Sequence, residues 1–381
     1  MKDMFRKISL RTVAQIAVVA VVFFLAASHM LRGVEQAAPI DAYCPFGAVE
    51  SFFTLIFTGE FLKRVFTSSF VLLAVFLVAT LVLGRVFCGW FCPLGAIQEW
   101  MRALGRRIGI KNDVEIPEKY DRYLRYVKYL VLAVIVYYSF YLGDLVFRAY
   151  DPYNALMHFG NEFAEKPVGY GILAVLVVGS LFSKSLWCRY FCPLGAFFGL
   201  VKKVGFFRIR RDASTCVGCA RCDRNCPANL NIATADVIDS ADCVSCGKCV
   251  GNCPKGSLGY TVFGKRVSKG RYALLVALVV VLPLVALPFT PLWQTKPESN
   301  IVNARGEVNT ADIRGSNTLH YVIEKTGVPF DAFRKELGLP KDMDRNMKLK
   351  DIGPTYGLTN ANGSVLETED FRAVVDAHVK D

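Results

Sequence analysis

The sequence predicts a mainly α-helical, polytopic membrane bundle of about five spans arranged as two parallel repeats, with a small Cys-rich domain inserted ahead of the last span and a small α-rich C-terminal domain. Three observations carry this reading. Residues of the hydrophobic set make up 53% of the 381-residue chain and fall in blocks that no water-soluble domain would carry. The phrase GRVFCGWFCPLGA at 84–96 returns as KSLWCRYFCPLGA at 184–196. The 13 Cys sit mostly at short, regular spacings, which favours metal in a reducing compartment over disulfides. Such a composition excludes a disordered or collagen-like chain.

Five segments reach the roughly 20 residues that a crossing needs: 12–31, 65–84, 126–147, 167–187 and 272–293. The first is long for a signal peptide and lacks a small-residue cleavage pattern, so it reads as retained. The third and fourth carry charge only near their ends, where Lys128 and Lys184 are expected to snorkel to the interface. Pro283, Pro288 and Pro291 predict a kinked or early-ending fifth helix, because proline supplies no backbone donor. Lys and Arg crowd the N-terminus, the loop between spans two and three, and the stretch between spans four and five. The positive-inside rule then places the N-terminus and the Cys-rich domain in the cytoplasm and the C-terminus outside a cytoplasmic (inner) membrane. Orientation in the bilayer thus accounts for the net charge of +12 and argues against a nucleic-acid partner. The predicted division is a membrane domain over 1–205, the Cys-rich domain over 206–264, a fifth span within 265–293 and an extracytoplasmic helical domain over 294–381.

The repeat extends upstream of the doubled phrase, since DAYCPFGAVESFF at 41–53 matches RAYDPYNALMHFG at 148–160. Each unit contains two spans, so both copies share one orientation and the repeats are parallel. Asp151 stands where the first copy has Cys44.

Cys216, Cys219, Cys222 and Cys226-Pro227, then Cys243, Cys246, Cys249 and Cys253-Pro254, each spell C-x2-C-x2-C-x3-C-P. In this bacterial ferredoxin pattern three close thiolates hold one 4Fe-4S cubane and the fourth reaches across to the other. The expected sets are Cys216, Cys219, Cys222 and Cys253 for one cluster, and Cys243, Cys246, Cys249 and Cys226 for its neighbour. Structural zinc is the alternative, but it favours four tetrahedral thiolates from two C-x2-C pairs.

Cys88 with Cys92, and Cys188 with Cys192, are four apart, which on a helix places both sulfurs on one face. Pro93 and Pro193 disfavour helical geometry at the preceding Cys, so a helix break with a new helix starting at the proline is expected. A thiol at such an N-terminus, near Arg85 or Arg189, is expected to ionise. The four residues are candidates for a further iron-sulfur cluster at the inner membrane boundary. Buried Cys also packs as a small hydrophobe, yet repetition of the whole phrase argues for metal. Cys44, towards the opposite face, starts a stretch that suits an interfacial or re-entrant helix and is a weaker metal candidate. Asp151-Pro152 reads equally as turn chemistry or as an outer polar group. No C-x-x-C-H haem motif, P-loop or dinucleotide fingerprint occurs in the expected context, so no catalytic residue is assigned.

Residues 294–381 lack Cys and hold helical pieces at about 316–327, 329–337 and from 368. Their near balance of acid and base argues against DNA binding and suggests a docking domain or a stabilising cap.

Through FCGWFCPLGA, WCRYFCPLGA, AYCPFGA and the two four-Cys runs, residues 10–290 resemble the membrane polyferredoxins of the NapH/NosR/CcoG type. That resemblance implies electron transfer between the quinone pool or a cytoplasmic donor and an outside redox partner, with the chain acting as a subunit of an oxidoreductase. An outer quinone or partner-protein site is then expected near 41–53 and 148–160. A copper-reducing or metal-handling assembly factor is the alternative, since soft thiolates suit Cu(I). A membrane anchor that recruits partners is a third. The tail departs from the simplest members, and no FMN domain of the NosR kind is present.

Overall fold

A computed structural model of the chain describes residues 9–32, 43–58, 65, 67–110, 112–114, 116–143, 145–158, 167–290, 292–293, 301–302, 308–310, 313, 315, 317–360 and 363–379. The chain divides into two units, Met1–Lys296 and Pro297–Asp381.

The first unit begins with α1 (Leu10–Arg32), α2 (Pro45–Thr58), α3 (Thr67–Leu83), α4 (Pro93–Arg107) and α5 (Glu118–Leu142). It continues with α6 (Pro152–Met157), α7 (Pro167–Gly179), α8 (Leu186–Tyr190) and α9 (Pro193–Val204). Among the described residues three helices are long and apolar enough to cross a membrane: Leu10–Ser28, Glu118–Leu142 and Lys269–Phe289. The second and fourth expected spans are the shorter apolar helices α3 and α7, of 17 and 13 residues. At about 1.5 Å per residue these rise about 26 and 20 Å, short of a core about 30 Å thick. Both stop at a break that leads into the repeated Cys phrase. In the first copy Gly84 takes a left-handed φ of 74° and a π-helical turn, Phe87–Phe91, follows. In the second, Ser185 at φ 46° opens α8.

Neither lysine snorkels. Lys128 is 1% exposed and paired with Asp242, and Lys184 pairs with Asp113 at 2.9 Å. A half-buried carboxylate offers each ammonium a partner that the interface would otherwise have to supply.

The Cys-rich domain is a four-stranded antiparallel sheet of β1 (Phe207–Arg211), β2 (Val237–Ile238), β3 (Leu258–Val262) and β4 (Lys265–Val267), in the order β2-β1-β3-β4. Two short helices, α10 (Arg221–Arg224) and α11 (Lys248–Asn252), fill the cysteine loops. Phe207, Ile209, Tyr260 and Val262 of the sheet share one buried core with Leu83, Phe87 and Trp90 of the membrane helices.

The last helix of the unit is composite: α12 (Lys269–Val276), a π turn at Ala277–Val281, α13 (Leu282–Ala286) and a 3-10 end at Leu287–Phe289. The ring of Pro283 would strike the carbonyl four residues back, and widening the preceding turn relieves that clash. Pro288 sits in the tightened end, while Pro291 lies outside the described residues.

The second unit carries α14 (Leu319–Thr326), α15 (Phe330–Leu337), α16 (Leu349–Tyr356) and α17 (Thr368–Val379) around its own core of Ile301, Leu319, Phe333, Ile352 and Phe371. Thr318 caps α14 by accepting from the Tyr321 N–H at 3.2 Å. The sequence does not announce α16, because Gly353-Pro354 imitates a helix stop.

Candidate metal centres

Cys216, Cys219, Cys222 and Cys253 line one hollow in the Cys-rich domain, and Cys226, Cys243, Cys246 and Cys249 line a second. Each hollow takes three cysteines from one run and the fourth from the other. Left-handed residues turn the loops inward: Gly218 and Ala220 in the first run, Ser245 and Gly247 in the second. Among the described residues no three Cys, His, Asp or Glu converge tightly enough to hold a single ion. Sulfurs ranged around a hollow suit a multi-iron cluster better than zinc, whose thiolates all lie about 2.3 Å from one atom.

The two hollows differ in exposure. Cys219 is exposed, whereas Cys226, Cys243 and Cys249 are buried. Burial, together with Cys246 and Cys243 nearby, pushes the Cys226 thiol up to about 12. Desolvation is outweighed at Cys253, where the N–H groups of Lys255, Ser257 and Leu258 hold the thiol below its ordinary value.

A third set of sulfurs gathers from the two repeats. Cys92 and Cys192 are the N-caps of α4 and α9, each followed by proline in the first turn, and they accept from the Gly95 and Gly195 N–H groups at 3.5 and 3.2 Å. Cys88 and Cys188 lie close enough to act electrostatically on both. Gln98 ties the copies together, donating to Cys188 Sγ at 3.3 Å and accepting from the Trp187 N–H at 3.3 Å. The expectation that Cys92 and Cys192 ionise readily is corrected: burial pushes both thiols well up, beyond what one capping N–H restores. They become good ligands only when a metal replaces the proton.

Arg85 supplies the test of fit. It is 1% exposed, donates to the Ala241 carbonyl at 2.7 Å and approaches Cys88 Sγ at 3.6 Å, and its Nε has no partner. Among the described residues no carboxylate pairs with it, although Cys88, Asp242 and Cys192 all favour its charged form. A fully buried cation needs a buried anion. Thiolates carrying a cluster would supply that anion, so these residues fit an iron-sulfur group.

The second hollow is pressed against this third set. A Cβ on Gly89, between Cys88 and Cys92, would lie 2.2 Å from the Val244 carbonyl oxygen and 3.3 Å from Cys246 Cα. Only glycine admits the loop so closely. Trp90 Nε1 donates to the Ser245 carbonyl at 3.3 Å, and the Tyr272 hydroxyl donates to the Leu83 carbonyl at 3.0 Å. Arg11 of α1 donates to the Gly89 carbonyl at 2.7 Å and pairs with Glu99, which Lys248 also meets at 2.8 Å. Arg125 spans Asp121 at 2.9 Å and Asp242 at 2.8 Å, riveting α5 to the cysteine loop. In the second copy Arg189 stands in place of Gly89 and meets Asp121 at 2.5 Å.

Cys44 precedes Pro45 at the start of α2, and Asp151 caps α6 by accepting from the Tyr153 N–H at 2.9 Å. Both line one small cavity with buried Glu50, Ser69 and Asn154. Tyr153 packs against the same apolar cluster as Cys92 and Cys192 and lies within electrostatic reach of both Cys44 and Cys92. Gln98, Glu99, Asp242 and Glu50 carry no signature in the sequence, because their partners lie in distant segments. Position-by-position comparison of the two copies is the signal that exposes Gly89 and Arg85, opposite Arg189 and Ser185.

Comparison with known proteins agrees with this geometry. A 4Fe-4S binding domain matches residues 65–111 and again 166–212, and a 4Fe-4S dicluster domain matches 208–254. The chain is 29% identical to YccM of Escherichia coli over 204 residues, 52% of this chain and 57% of that protein. It is 32% identical to MJ0750 of Methanocaldococcus jannaschii over 190 residues, 50% of this chain and 74% of that protein. The ferredoxin-type protein NapH of Haemophilus influenzae is 29% identical over 148 residues, 38% of this chain and 49% of NapH. The match thus spans little more than half of YccM and about half of NapH. No solved structure matches. The twofold 4Fe-4S match, the dicluster match and these relatives show that the chain belongs to the NapH/NosR-type polyferredoxin family.

Proposed function

We propose that the chain is a membrane-bound iron-sulfur electron-transfer protein that connects the quinone pool or a cytoplasmic donor with a redox partner complex. In this reading Cys216, Cys219, Cys222 and Cys253 hold a distal 4Fe-4S cluster, and Cys243, Cys246, Cys249 and Cys226 hold a proximal one. Cys88, Cys92, Cys188 and Cys192 hold a further iron-sulfur group at the membrane boundary. The bound clusters supply one-electron chemistry. The protein excludes water, fixes spacing and supplies the counter-charge of Arg85. The observation that carries the proposal is the seating of the Val244–Cys246 loop on Gly89, where the Cys246 backbone meets the turn bearing Cys88 and Cys92.

The chain makes five crossings, with α3 and α7 completed by the breaks and short helices that follow them, and with the ferredoxin domain cytoplasmic and the tail outside. The cavity between Cys44 and Asp151 is the outer exit, towards a quinone or a partner protein. Its buried Glu50 supports that role, since ionisable groups inside a membrane are costly to retain without function.

Anaerobic purification followed by iron and acid-labile sulfide analysis tests the proposal. Iron in excess of two cubanes is expected, falling to two when all four boundary Cys are changed to Ser. A wild-type content of only two cubanes removes the boundary cluster, and a colourless protein removes the whole reading.

A further inference from the structure

We propose that the exposed rim of the distal hollow is a docking face for a small, acidic, soluble electron-carrier protein. This rests on the reading of the Cys216 set as a cluster site. Arg221, Lys255 and Arg266 hold the carrier's carboxylates around an apolar centre at Val217.

Cys219 is the one exposed cysteine among the described residues, and Val217 beside it is 60% exposed. A partner that approaches anywhere else must send its electron through more protein. Arg221 and Lys255 line the hollow together with Val217, and Arg266 reaches the same loop by donating to the Gly256 carbonyl at 3.3 Å. Among the described residues no carboxylate pairs with any of the three. The neighbouring acids are committed elsewhere. Asp212 accepts from Ser214, through its N–H at 3.0 Å and its hydroxyl at 2.6 Å. Asp223 accepts from the Ile232 and Ala233 N–H groups at 2.6 and 2.9 Å, and Asp236 pairs with Arg211 at 2.8 Å. No acidic residue lines the hollow itself, so the side chains that face a partner there are positive. An apolar centre inside a charged ring is the anatomy of a transient protein interface, and complementary charge raises encounter rates between about ten-fold and a thousand-fold. One electron passes between the carrier's centre and the distal cluster, in either direction, and no bond or proton moves.

The test uses the full chain, purified anaerobically and placed in nanodiscs of neutral phosphatidylcholine, with a reduced acidic bacterial ferredoxin as probe. Stopped-flow bleaching of the clusters should slow at least about ten-fold between low and high salt. The R221E/K255E/R266E variant should lose a similar factor at low salt, while keeping wild-type iron and sulfide and its rate with photoreduced deazaflavin, a small reductant. An unchanged carrier rate in that variant overturns the proposal. So does an effect seen only when phosphatidylglycerol is present, which would assign the cations to lipid headgroups. Absence of iron from the Cys216 set shows before any carrier is added and fails the parent reading instead.

Discussion

Arg85 and Gly89 sit four residues apart and do opposite things: one brings charge into a dry space, the other leaves space for a neighbour's backbone. A cation beside a cluster favours the reduced, more negative state, so it raises the potential. Arg85→Gln is therefore expected to lower the boundary potential, followed by EPR-monitored redox titration, and to weaken iron retention at that site alone. Gly89→Ala forces a methyl group against the Val244 carbonyl, an overpacking that costs typically about 1–3 kcal/mol. It should also loosen magnetic coupling between the proximal and boundary clusters. Gly171→Ala, with open space around its Cβ, is the control and should change neither quantity. Local spelling revealed the cysteines and the prolines behind them. It could not reveal Gln98 or Asp242, whose meaning depends on groups about 90 and 114 residues away.

The elements are joined by buried ion pairs rather than by apolar surface alone. Lys128 and Arg125 of α5 converge on Asp242, and replacing that carboxylate strands a buried lysine. Asp242→Asn should cost about 3–5 kcal/mol in thermal or denaturant unfolding, and adding Lys128→Met should recover part of the loss. Desolvation works to raise both Glu99 and Asp242, yet Arg11 with Lys248, and Lys128 with Arg125, hold them below the ordinary range. Their stabilisation is thus complete above the unfolded values of about 4.3 and 3.9 and fades as pH falls through the lower folded ones. Melting in detergent between pH 7 and pH 4 should change little on their account, and the acid-side loss should shrink in Glu99→Gln. Hydropathy located the apolar helices but overstated α3 and α7, because an apolar run continues through a Gly or Ser break that ends the helix. It understated α5, whose N-terminal half includes Asp121, Arg125 and Lys128, charges that are paired within the protein.

At the scale of the whole molecule, the tail unit has its own apolar core, centred on Leu319, Phe333, Ile352 and Phe371. Residues 297–381 expressed alone should therefore unfold cooperatively, as followed by circular dichroism; a featureless melt would show that the tail needs the first unit. Composition and the doubled phrase were enough to indicate a helical membrane protein with inserted clusters, because both follow from local chemistry. The way the ferredoxin domain lies against the repeats was not legible, since it depends on contacts between distant segments, such as Gly89 with Val244 and Arg125 with Asp242.

The contact at Gly89 has a consequence for traffic. A duplicated scaffold offers equivalent positions in its two copies. Here Gly89 yields its place to the cysteine loop, whereas Arg189 fills the matching place with a side chain paired to Asp121. On the proposed route, current uses the Gly89 side alone, and the twin position holds an ion pair instead of a passage.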